Sequence, residues 1–92
     1  MKEFSMHPAK IQLRGFNDEE ILKILEKAEE FEKEVFRMKN GIDVFFEDVE
    51  IARRFISKLK RDFRFEIKMS TENLGFKGGK GRYLFVYSLR KS

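Results

Sequence analysis

The feature that most constrains this chain is a change of apolar period at Gly15. Before it, Ala9, Ile11 and Leu13 alternate with Lys10, Gln12 and Arg14, the period of a half-buried strand. After it, Ile21, Ile24, Leu25, Ala28, Phe31 and Val35 follow the stripe of an amphipathic helix. Asn17 stands at the N-cap, with Glu20 placed to return the capping-box contact, and Phe16 and Ile21 have the spacing of a hydrophobic staple. Asp18, Glu19 and Glu20 put anions where the helix dipole favours them. The spacing predicts a helix near residues 17–36.

Lys39-Asn40-Gly41 is a turn signal, and Ile42, Val44 and Phe46 mark one face of a second strand. Asp48 caps a second helix, near residues 48–62, whose stripe is Ala52, Phe55, Ile56 and Leu59, extending to Phe63. Phe65, Ile67 and Met69 alternate with Arg64, Glu66 and Lys68 in a third strand. The strand signal weakens over residues 70–76, Gly78-Gly79-Lys80-Gly81 reads as a flexible connection, and residues 82–90 form a fourth strand. Residues 1–8 read as a loose leader ahead of a single domain, 9–92. The expected fold class is α+β: a βαβαββ two-layer sandwich with a mixed four-stranded sheet, two helices on one face and a closing hairpin. Its core is expected at Ile11, Leu13, Ile21, Leu25, Ala28, Phe31, Val44, Phe55, Leu59 and Ile67. Leu84 and Val86 make one face of the last strand; Tyr83, Phe85, Tyr87 and Leu89 make the other, and the sequence leaves open which lies under the helices.

Eleven Phe residues can fill a core for one domain of this length. The absence of Cys removes disulfides and thiolate zinc sites, and points to an intracellular, cytoplasmic protein. No apolar run approaches the ~20 residues of a membrane span. The net charge of +4 hides a division. Residues 1–52 carry 8 Lys/Arg against 13 Asp/Glu, and residues 53–92 carry 12 against 3. Such a balance predicts a two-sided particle whose basic side meets a polyanion.

The residues offer little chemistry. His7, the only histidine, lies in the leader without an orienting partner. The acids Glu26, Glu29, Glu30, Glu32 and Glu34, interleaved with Lys23, Lys27 and Lys33, read as the solvated face of the first helix with i,i+4 pairing. Asp43, Glu47 and Asp48 lack the ligand spacing of a calcium loop. No catalytic residue, metal site or cofactor is expected. Gly78–Gly81 imitates the GxxG clamp of KH domains but precedes a strand. Residues 80–87 imitate an RNA-recognition-motif signature, with Arg82 where an aromatic is needed and with a βαβαββ order in place of βαββαβ. What survives is cationic: Arg54, Lys58 and Arg61 at i, i+4, i+7 along the second helix, and Lys77, Lys80 and Arg82 around the glycine tip. These six are the candidate RNA-binding residues, able to hold phosphates without reading bases.

Several segments together resemble the Nmd-three family, adaptors of the large ribosomal subunit in its maturation and export. They are Lys10-Ile11-Gln12-Leu13-Arg14, then Gly41-Ile42-Asp43-Val44-Phe45-Phe46, then Ala52, Phe55 and Leu59. The resemblance is to the α/β segment that follows the family's N-terminal zinc region. It implies a ribosome-associated domain whose partner is the large subunit or its ribosomal RNA. The family's zinc ligands have no counterpart here, so the chain is an excised domain, a short paralogue or a homologue that kept only this unit. The competing expectation is a protein-interaction module, docking other domains through an open sheet face or its last strand. No membrane partner is expected. A monomer is the default, although an exposed Tyr83/Phe85/Tyr87 face would permit a dimer.

Overall fold

The computed structural model describes residues 8–77 and 80–92, with the backbone alone between 74 and 82. Seven elements follow in order: β1 (Ala9–Arg14), α1 (Asp18–Ala28), β2 (Glu34–Met38), β3 (Gly41–Phe46), α2 (Val49–Asp62), β4 (Phe65–Lys77) and β5 (Lys80–Lys91). They build a five-stranded mixed sheet in the order β2-β3-β1-β5-β4. β1 runs antiparallel to β3 and parallel to β5, while β2–β3 and β4–β5 are antiparallel hairpins. Ala9, Ile11 and Leu13 of β1 share one buried cluster with Ile42, Val44 and Phe46 of β3, with Tyr87 and Leu89 of β5, and with both helices. Both helices therefore cover one face, and among the described residues no helix covers the other.

The α+β class, the two helices on one face and the closing hairpin agree with the sequence reading. The strand count does not. Helix α1 ends at Ala28, far short of residue 36, and residues 34–38 form the edge strand β2. Phe31 and Val35 fit a continued helical stripe because no Gly or Pro interrupts it. The two-residue Lys39-Asn40 loop, with Gly41 next, instead folds residues 34–38 back on β3, and that pairing overrides local helical spacing. The element order is therefore βαββαββ, so order no longer separates this chain from the split βαβ folds. Strand order does, because β5 lies between β1 and β4.

Asn17 accepts from the Glu20 amide at 2.8 Å and the Glu20 carboxylate accepts from the Asn17 amide at 2.9 Å, completing the capping box. Phe16 lies edge-on to Phe63 and Phe65, joining the start of α1 to the end of α2. Asp48 caps α2 by accepting from the Glu50 amide at 3.0 Å. Of the expected core, Ile67 is 37% exposed, because neither helix reaches over that part of β4, and Leu25 and Phe31 are half-buried at the cluster's margin. On β5 the helix side is Phe85, Tyr87 and Leu89, yet Leu84 and Val86 on the opposite face are buried as well. Tyr87 is buried and Phe85 half-buried, so the expected exposed face of three aromatics reduces to Tyr83.

Candidate nucleic-acid interface

The division of charge in the sequence becomes a division of the sheet. Residues 1–52 supply the neighbouring strands β2, β3 and β1, and residues 53–92 supply β5 and β4. Among the described residues, three ion pairs between separate elements stitch the halves together: Glu20 with Lys91, Lys27 with Asp62, and Glu30 with Lys58. Of the acids that read as i,i+4 partners on the first helix, Glu30 instead reaches across to α2, and the capping residue Glu20 reaches β5. Their effect on titration is local. The Lys91 ammonium, by hydrogen bond, and then the Asn17 backbone hold the Glu20 carboxyl below its ordinary range, and Lys27 does the same for Asp62.

Helix α2 carries Arg53, Arg54, Lys58, Lys60 and Arg61 with no acid between them. Its geometry separates them. Arg54 and Arg61 are exposed on the side away from the sheet and have no ion pair among the described residues. Lys58 leans toward α1, where it meets Glu30 and stands 5.6 Å from the centre of the Phe31 ring. Arg53 leans the other way, and its Nε donates to the Tyr87 hydroxyl at 3.2 Å. That bond and, behind it, the Glu50 carboxylate raise the Arg53 pKa further above its usual value. The three residues spaced i, i+4, i+7 are therefore two outward cations and one inter-helix partner. The α2 cation tied to β5 is Arg53, which the spacing argument passed over; its signal, adjacency to Arg54 in a run of bases, was present but unspecific.

Lys77, Lys80 and Arg82 lie on a projecting two-stranded ribbon. Pairing between β1 and β5 starts at Ala9 opposite Phe85, whereas β4 and β5 remain paired out to Lys77 opposite Lys80. Arg82 stands opposite Gly75, just past a register shift between Asn73 and Gly75. The side chains of all three lie outside the described residues, as do Gly78, Gly79 and His7.

Other candidates have structural partners. Asp48 is the α2 cap, and Asp43 is buried beside Arg14, whose Nη2 lies 2.9 Å from Oδ1. Among the described residues, no three His, Cys, Asp or Glu gather as a metal would require. No helix there is long and apolar enough to cross a membrane. Strand β5 is paired on both sides from Phe85 to Arg90, so strand addition along that stretch of the last strand is closed; the sheet's edges are β2 and β4.

No curated protein matches the chain. The family model for the second domain of NMD3 matches residues 7–90. That span takes in every strand segment that carried the resemblance, from Lys10 to Phe46, together with α2 and both strands of the ribbon. This chain belongs to the NMD3 family.

Proposed function

We propose that the chain is a non-enzymatic, cytoplasmic domain that associates with the large ribosomal subunit and meets ribosomal RNA through its basic lateral half. The family match across residues 7–90 carries this reading. The charge arrangement supports it: Arg54 and Arg61 are exposed on α2 with no ion pair among the described residues, and Lys77, Lys80 and Arg82 occupy the ribbon that extends beyond β1. The acids with described partners serve as caps or ion-pair members, which fits a binding role better than acid–base catalysis. Phosphate contacts of this kind give affinity that falls steeply with salt.

The test is co-sedimentation with large subunits over a salt series, comparing the wild type with a Lys80→Glu/Arg82→Glu double variant whose folding has been verified. Weaker association and a flatter salt dependence are expected. Unchanged association at moderate salt refutes the reading.

A further inference from the structure

The face of the sheet turned away from the helices has a chemistry of its own. The parallel β1–β5 register sets Arg14 directly opposite Arg90 and Gln12 opposite Ser88. Like charges directly opposite on a sheet repel. Arg14 is neutralised by Asp43, but Arg90 forms no ion pair among the described residues, although Glu66 faces it on β4. A hollow of about 390 Å³ is lined by Gln12, Arg14, Gly15, Asn40, Ser88 and Arg90. Its lining has donors from two arginines, two amides and a hydroxyl, and no carboxylate.

Toward β2 the same face turns aromatic. The Phe36 and Phe45 rings meet edge-on with centroids 5.5 Å apart, and Lys10 Nζ stands 5.6 Å from the Phe45 centroid. Phe36 is 47% exposed. Phe36 pairs with Asp43, which pairs with Gln12, so its ring lies about two strand spacings, roughly 10 Å, across the sheet from the Gln12 side of the hollow.

We propose that this open face binds single-stranded RNA, with a phosphate in the Arg14–Arg90 hollow and a base stacked against Phe36. Only an unpaired strand offers both: a duplex keeps its bases in the stack, whereas a single strand turns a ring to an aromatic side chain and its phosphate to a nearby cation. Gln12, Asn40 and Ser88 supply partners for a 2′-hydroxyl or a base edge. An apolar protein partner would leave Arg90 and the amides of the hollow unanswered. The surface is separate from the outward side of α2 and from the ribbon, so the proposal stands or falls independently of subunit association.

The test is fluorescence anisotropy with a labelled single-stranded RNA of about ten nucleotides, within the usual site sizes for such surfaces. A hairpin duplex of the same length serves for comparison. The wild type is expected to prefer the single strand. Phe36→Ala should weaken that binding about tenfold, and Arg90→Gln should weaken it and lower the salt slope by about 0.7. Both side chains are exposed, and thermal unfolding verifies each fold. An Arg54→Gln/Arg61→Gln variant should keep the preference for the single strand. Absence of binding, equal affinity for the duplex, or unchanged affinity of Phe36→Ala overturns the proposal. So does loss of subunit association by Phe36→Ala without any single-strand binding, which would assign the face to a protein.

Discussion

Arg14 crosses from β1 to the carboxylate of Asp43 on β3, bringing Nη2 within 2.9 Å of Oδ1 on the open side of the sheet. Its Nη1 also donates to the Leu13 carbonyl at 3.0 Å and lies 3.4 Å from that of Ile42. Asp43 is 3% exposed, and among the described residues Arg14 is its ion-pair partner. Arg14→Ala should cost about 3 kcal/mol, because a carboxylate would be left buried and unpaired. Adding Asp43→Asn should recover most of that loss by removing the stranded charge. Urea midpoints of the two variants measure the difference, and a double variant no more stable than the single one contradicts the account.

Gly41 makes that crossing possible. A Cβ at this position would stand 2.0 Å from the Leu13 carbonyl oxygen and 3.0 Å from Arg14 Nη1. Backbone cannot yield as a side-chain tip can, so Gly41→Ala is expected to cost about 3 kcal/mol and to loosen the β1–β3 pairing. Gly15 is the comparison. It has φ +81°, but a Cβ there meets only ordinary contacts near 3.5 Å with Lys91. Gly15→Ala should cost about 1–2 kcal/mol, the usual conformational penalty. Thermal melts that rank the two variants the other way would show that β1 and β3 adjust more readily than their contacts imply.

The sequence revealed the elements that obey one rule at a time. β1, β3 and the start of α1 were legible because alternation and a capping box are local, and the Asn17–Glu20 contacts form as the spacing requires. β2 was hidden because Phe31 and Val35 also satisfy helical spacing. The signal against a helix was Asn40-Gly41, the strongest short hairpin cue, preceded by Val35, Phe36 and Met38. Ile67 kept its place in the alternation but lost its cover, since what roofs a strand is a tertiary matter.

The candidate site was legible in sign and not in geometry. Clustering of bases in residues 53–92 became a lateral half of the sheet because those residues supply adjacent strands. The fate of single cations depended on partners distant in sequence, such as Glu30 for Lys58 and Tyr87 for Arg53. The opposition of Arg14 and Arg90 depended on a parallel pairing that no local pattern announces.

Acid should weaken the fold along a predictable course. The native environment depresses Glu20 through Lys91 and Asn17, and Asp62 through Lys27. Unfolding releases both to ordinary carboxyl values near pH 4. The unfolded chain then binds more protons, so this contribution is complete above that range and is lost as pH falls through the native values. Unfolding midpoints should be flat from pH 7 to about pH 5 and decline below it. Glu20→Gln can still return the capping contact, and should decline less steeply than the wild type over the acid range. Parallel curves would mean that the Glu20–Lys91 pair adds nothing to folding.

The cations of α2 should not contribute equally to RNA association. Arg54 and Arg61 face solvent without an ion pair among the described residues, whereas Lys58 is engaged by Glu30 and lies over the Phe31 ring. Binding a phosphate with Lys58 would require breaking that pair, which offsets the gain. Each phosphate contact contributes about 0.7–0.9 to the slope of log affinity against log salt. Arg54→Gln and Arg61→Gln, tested singly in large-subunit sedimentation over a salt series, should each lower the slope by about that amount. Lys58→Gln should leave the slope near the wild-type value and cost under about 1 kcal/mol of stability, as solvent-accessible pairs do. Equal slope changes for all three would mean that Glu30 releases Lys58 on binding, and that the cations of α2 act as one stripe.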